Sequence, residues 1–408
     1  MKRTLSLLLI FLLTFLSCQL FIPYTLMQQE SYALFLTTPD YLRETFSAPW
    51  PVSHLVGNFI VQFFHYPYAG PAIMALLVTL LFFLISLVWH GRARTLCALV
   101  FAAVVMGGGI VLATSKPVRT LEARSAAEYH AEHHDWPRVL AVATPQATRR
   151  DRELLPYALL ALAESGQLPQ KMFLYPIHSD DDFCPEGWQT RRGLTFGAIL
   201  YECMGVTNEA IHRRYQAADA LPHGTSFGTL RSLTRLYRLQ GNDLLAAKYH
   251  TILAHSTLHS RILPPSPSQG GGALRKLDSR HLFPAQGRKN LLSYAMLRYT
   301  TKQNSPSLGG GLGEAPSEAA PLITPDYFYN ITSLIAHGQT SRTLIDRSLC
   351  ALLARRDLNH FLILWNQLPH PDGEDIPAHY REALLLAQPD QSATPPHGPY
   401  ADYYFHQP

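Results

Sequence analysis

The sequence predicts an all-α protein: N-terminal transmembrane helices followed by a tetratricopeptide-like helical-hairpin repeat domain. Three observations predict it. The long charge-free apolar runs all lie within residues 1–115, a helix, short turn, helix rhythm recurs through residues 116–388, and stretches rich in Pro, Gly and Ser interrupt that rhythm at 264–272 and 305–321. The two inserts contain little that can be buried and read as flexible, and the tail 389–408, with ATPPHGPY, is expected to be poorly ordered.

The first apolar segment, residues 5–27, is opened by Lys2 and Arg3 and carries LSLLLIFLLTFL without a charge. A cleaved secretory signal, or a lipoprotein site at Cys18 in LTFLSCQ, is the rival reading. A retained helix is expected, because apolar character continues through Leu20, Phe21 and Ile22 and further membrane segments follow. Residues 71–89 (PAIMALLVTLLFFLISLVW) and 96–113 (LCALVFAAVVMGGGIVLA) are each long enough to cross, joined by the basic turn HGRART. Arg92 and Arg94, like Lys2 and Arg3, assign their ends to the cytoplasm by the positive-inside rule, which makes the C-terminal domain periplasmic. Lys116, Arg119 and Arg124 run against that assignment.

Residues 52–64 (VSHLVGNFIVQFF) carry the topology. With 13 residues that include His54, Asn58 and Gln62, the segment is short for a span and suits an interfacial or re-entrant helix. Phe63, Phe64, Tyr66 and Tyr68 beside Pro67 suit a headgroup-level aromatic belt. If the segment crossed, the C-terminal domain would face the cytoplasm instead. Gly107, Gly108 and Gly109 lack a spaced small-residue pattern and read as local flexibility or lipid-facing helix. No carboxylate, Lys or Arg lies within the three clear spans, which argues against transport by this chain alone.

Beyond residue 125 the hairpins are punctuated by turn residues. AAEYHAEHHDWPRVLAVAT ends one helix near His134 and Asp135 and starts another at Trp136 and Pro137. ELLPYALLALAESGQLPQKMFLYP stops at Gly166. RSLTRLYRLQGNDLLAAKYHTILAHS turns at 240–242, and RSLCALLARRDLNHFLILWNQLP at 356–359. Stacked hairpins bury apolar stripes that none buries alone.

The stretches ESYALFLTTPDYLRETFSAPWPVSHLVGNFIVQFFHYPYAGPAI, EYHAEHHDWPRVLAVA and LPYALLALAESGQLPQKMFLYP resemble a family of uncharacterised inner-membrane proteins from the Bacteroidota. The resemblance covers most of the chain. It implies several N-terminal membrane helices joined to a tetratricopeptide-like domain, with no activity or catalytic residue assigned. This chain departs from that pattern by its smaller number of spans, about three, and by its two inserts.

The net charge is +4 (34 Lys and Arg against 30 Asp and Glu), with no long basic run, so nucleic acid is not expected as a partner. The five cysteines include no C-x-x-C pair; a bridge between Cys184 and Cys203 is conceivable. His130, His133 and His134 with Glu132 and Asp135 lack the H-E-x-x-H arrangement and read as a solvated helix end. Asp180, Asp181 and Asp182 after His178 lack alternating calcium-ligand spacing and read as a charged loop. Neither G-x-S-x-G nor a phosphate-cradling glycine loop is present.

No catalytic residue, cofactor or metal is expected from this sequence, and a small-molecule ligand is left open. The function it points to is a scaffold anchored in the bilayer of a bacterial inner membrane, binding another envelope or membrane protein. Trp136, Tyr157, Tyr237 and Trp365 are the aromatics offered for such a surface, although all four sit in apolar helical patterns that suit a core better. The alternative is an enzyme or accessory subunit of envelope glycan or lipid assembly or transport. Asp40, Arg43, Glu44, His54 and His65 would then converge in a cleft at the membrane surface.

Overall fold

The computed structural model describes residues 2–88, 91–183, 190–221, 223–258, 341–368, 376–387 and 398–405, and its regular structure is helical throughout. The expected inserts at 264–272 and 305–321 lie outside the described residues, as do Cys184 and hence its pairing with Cys203. The chain forms two compact units. Unit 1 joins Met1–Ala126 to Ala218–Asn304, and unit 2 joins Ala127–Ala217 to Ser305–Pro408. The hydropathy boundary sets 1–115 against 116–388; the packing groups the described residues 218–258 with the N-terminal segment.

In unit 1, α1 (Lys2–Phe21), α5 (Ala69–Val88) and α6 (Gly91–Thr114) pack together, with α1 against both others. Three stretches of these helices, Thr4–Phe21, Ala69–Val88 and Leu96–Thr114, are long and apolar enough to cross a membrane. Most of their side chains remain uncovered, as on a surface that lipid solvates. The three glycines of α6 divide: a Cβ on Gly107 or Gly108 meets nothing within 4 Å, whereas one on Gly109 collides with the Ser17 hydroxyl. One glycine of the run therefore marks close approach of α1 and α6, which plain lipid exposure does not explain.

The first apolar segment is not one helix over 5–27. Pro23 has no N–H to continue the ladder, so α1 ends at Phe21 and α2 (Pro23–Tyr32) begins with proline in its first turn. Next come α3 (Pro39–Ser47), α4 (Pro51–Val61) and a 3-10 turn, Gln62–His65, that leads into α5. Cys18, Leu26 and Phe64 form a buried cluster with Ile22, Ile60, Val61, Ile73 and Met74 against it. After α6, α7 (Lys116–Glu132) continues the chain, and the hairpin of α14 (Phe227–Leu239) and α15 (Asp243–Ala254) completes unit 1.

Unit 2 is built around α10 (Leu155–Glu164), whose residues 155–163 are all buried. Its sequence LPYALLALA is apolar on every side because helices surround it. They are α8 (Trp136–Val142), α12 (Arg191–Cys203) and α16 (Arg342–Arg355). The unit also contains α9 (Pro145–Arg150), α11 (Leu168–Lys171), most of α13 (Thr207–Asp219), α17 (Leu358–Gln367), α18 (Ala378–Ala387) and α19 (Pro399–Phe405). Of the tail 389–408, residues 398–405 are described, and the last of these helices lies among them. Glu382 accepts hydrogen bonds from the Tyr400 and Ala401 amides, and both residues are buried. Composition alone, dominated by Pro and Gly before residue 399, hides this cap.

Five helix pairs among the described residues close in the same way. After α7, α10, α12, α14 and α16 one residue takes positive φ: His134, Gly166, Gly205, Gly241 and Arg356. Its amide bonds the carbonyl three residues back and the next amide bonds five back, as in Gly241 to Arg238 and Asn242 to Tyr237, the two bonds of a Schellman closure. The following helix then starts at once, and Asp135, Asn242 and Asp357 cap it by accepting the amides of Arg138, Leu245 and His360.

Asp357 adds a pH dependence to its cap. Burial pushes its carboxyl up, but hydrogen bonds from the His360 ring and amide, with the charges of His360 and Arg355, outweigh burial and hold it below the usual carboxylate range. A lowered folded-state value contributes stability above the unfolded value that is lost as pH falls through the folded one. Asp357→Ala should therefore cost about 1 kcal/mol at neutral pH. That difference should shrink toward zero in acid, as read from thermal unfolding of the purified chain at stepped pH.

Candidate functional site

A dense set of long-range polar contacts lies in unit 1, where residues 24–65 are clasped to residues 122 and 223–257. It begins at the start of α2. Glu122 of α7 accepts the amides of Tyr24 (2.8 Å) and Thr25 (2.8 Å) and the Thr25 hydroxyl (2.6 Å), so a carboxylate satisfies amides that the proline-initiated helix leaves open. Burial pushes the Glu122 carboxyl up, opposed by these three hydrogen bonds.

At the other end of α2, the Glu30 side chain is only 2% exposed and takes both arms of the Arg231 guanidinium, at 2.6 and 2.9 Å. Arg231 also donates to the Ser31 hydroxyl at 3.2 Å, and the His65 ring stands 3.9 Å from Glu30. Arg231 reaches Glu30 because Gly228, one turn earlier on α14, lets that helix lie directly against the Ser31 backbone. The Phe227 amide bonds the Ala33 carbonyl (2.9 Å), and Thr37 donates through its amide (3.0 Å) and hydroxyl (2.7 Å) to the His255 carbonyl. Thr257 donates to Gln62 (2.8 Å). Glu44 and the Tyr41 ring both approach His223.

The four aromatics offered as a surface do not form one. Tyr157 is 1% exposed and packs edge-on to Phe196 in the core of unit 2; Tyr237 is 7% exposed and stacks on Tyr249 in unit 1. Both are buried, the core placement to which the apolar periodicity around them points. Trp136 and Trp365 are half-buried, the first edge-on to His134 and the second against Phe361 and Tyr380. Of the polar groups on which a membrane-surface enzyme depends, Arg43, Glu44 and His54 are exposed. Glu44 and His65 pair with different partners, His223 and Glu30.

The histidine cluster divides as well. His130 is buried and 3.7 Å from Asp135, His133 stacks on Tyr129 and contacts its carbonyl, and His134 approaches Glu202 at 3.8 Å. Burial lowers the His130 imidazole; Asp135 opposes this, while Arg138 and His133 add to it. Among the described residues no group of three or more His, Cys, Asp or Glu is placed to hold a metal ion. Asp182 accepts from the His178 amide and pairs with Arg152, so this part of the acidic run organises its own loop.

Unit 2 also buries a thiol beside a phenol. Cys350 lies 3.5 Å from the Tyr380 hydroxyl, which also reaches Asp346 at 3.3 Å. Burial pushes both the thiol and the phenol far up, so Cys350 stays protonated and is an inert core residue rather than a nucleophile.

Apolar helices suited to a membrane, joined to helical hairpins, define a membrane-associated all-helical protein. Within that class, the family model described as "Family of unknown function (DUF6057)" matches residues 1–121 and 116–262, more than half of the chain, and the chain belongs to this family. Neither the curated proteins nor the solved structures give a match.

Proposed function

We propose that this chain is a membrane-anchored scaffold of the bacterial inner membrane. Three spans would hold a tetratricopeptide-like array of hairpins in the periplasm, where it binds another envelope protein without catalysis of its own. The observation that carries the reading is the clasp in unit 1. A hydrogen bond reaches about 3 Å and a bilayer core is about 30 Å thick. Residues within 24–44, before α4, and Gln62, after it, are both bonded to or paired with residues beyond α6. This supports an even number of crossings between residues 45 and 122, hence α5 and α6 as spans and α4 as none. Combined with the positive charges at 2, 3, 92 and 94, it favours the periplasm for everything after α6.

Repeated hairpin closures support an interaction array, since stacked hairpins present extended surfaces. Compartment-specific reporter fusions after residues 30, 92, 125 and 385 test the placement. Periplasmic signals at 30, 125 and 385 with a cytoplasmic signal at 92 are expected. Cytoplasmic signals at 125 and 385 overturn the localisation and, with it, the class of partner.

A further inference from the structure

We propose that α4 lies in the plane of the membrane surface, and that Trp50, Val52, Val56 and Phe59 insert among the phospholipid chains of the leaflet where α1 ends and α5 begins. The proposal rests on the reading of α1, α5 and α6 as spans. Val52, Val56 and Phe59 recur at helical spacing on one stripe of α4, and with Trp50 at its N-terminus they are 64, 49, 40 and 80% exposed. No residue of α4 is fully buried, although the helix is strongly apolar. A soluble surface does not leave such a stripe in water without a partner.

Depth identifies the partner as lipid. Val61, on the opposite side of α4, and Ile60 pack against the buried cluster of Cys18, in the last turn of α1, Leu26 and Phe64, against which Ile73 and Met74, near the start of α5, pack as well. This packing sets α4 level with one end of two bilayer-length helices. At that level Leu20 of α1 and Leu76 of α5 are themselves exposed, so lipid already borders the site. The helix of 11 residues rises only about 16 Å, too little to cross. Exposed Tyr66 and Tyr68 continue from α4 toward α5, as aromatic residues do at headgroup level. Asn58 turns inward to the Tyr41 hydroxyl (3.3 Å), while Ser53 stays exposed beside the stripe and His54 stays exposed on the side away from it, giving the helix the polar groups that an interfacial segment needs.

The test places a small fluorescent amino acid at Val56, Leu80 or Leu239 of the full chain, reconstituted in vesicles whose phospholipids carry bromine either near the headgroup or near the chain terminus. At Val56, emission should be lost mainly to the shallow bromine. At Leu80, in the middle of α5, it should be lost mainly to the deep one, and at Leu239, exposed on α14, to neither. If Val56 is unquenched while Leu80 is quenched, the lipid contact is wrong and the spans stand. Greatest quenching of Val56 by the deep bromine makes α4 a span and overturns the proposal. If Leu80 is also unquenched, the span reading falls and takes the proposal with it.

Discussion

Arg231→Ala is expected to destabilise unit 1 by about 3 kcal/mol, the cost of stripping one partner from a buried ion pair. The asymmetry of burial sets the direction. The Arg231 side chain is 29% exposed and is readily lost to water, but the Glu30 carboxylate it leaves behind is 2% exposed and loses two short charge-assisted hydrogen bonds. Arg231→Lys should recover only part of the loss, because an ammonium cannot reproduce a fork that binds both carboxylate oxygens and reaches Ser31 as well. Replacing Glu30 by Leu together with Arg231 by Met removes both charges and should be better tolerated than Arg231→Ala alone. The readout is the unfolding midpoint of the detergent-purified chain, combined as a double-mutant cycle. A stability change below about 0.5 kcal/mol for Arg231→Ala would show that the pair is a surface contact in practice.

Legibility in the sequence followed the range of the interaction. The apolar helices were readable because the bilayer demands a long run without charges; the second and third appear as helices of that length, and the first is cut short at Phe21 by Pro23. The hairpin turns at Gly166, at 240–242 and at Arg356 were readable because closure requires a left-handed residue followed by a cap, and these are local demands. The same signal sits in CMGVTN, where Gly205 joins α12 to α13, and there it is masked because the helices around it carry mixed polar and apolar residues. Asp357 and Asn242 look alike in sequence and in role.

The clasp was not legible. Glu30 and Arg231 are separated by 201 residues, and an isolated glutamate after an apolar run reads as a solvated helix end. Only the fold brings α14 to it. Tyr157 and Tyr237 show the converse problem: periodicity says that a helix face is apolar, and whether that face meets a partner or the chain's own core depends on helices elsewhere in the sequence.

Gly228→Ala is expected to be destabilising by about 2 kcal/mol, against the ordinary trend for glycine in a helix, where alanine gains about 1 kcal/mol. The difference lies in what the added methyl group meets. A Cβ on Gly228 stands 2.8 Å from the Ser31 carbonyl oxygen, 3.1 Å from its Cβ and 3.4 Å from its Cα. Backbone cannot rotate away as a side-chain tip can, so α14 must move off α2. That movement lengthens the Arg231 to Glu30 bonds and the Phe227 to Ala33 bond together. Gly57, on α4, supplies the control: a Cβ there meets nothing within 4 Å, so Gly57→Ala should be stabilising by up to about 1 kcal/mol. Opposite signs for the two substitutions, measured by thermal unfolding of the same preparation, are the expected result. Equal signs would mean that α2 and α14 are not in close contact, and the argument that both lie on one side of the membrane would lose its tightest link.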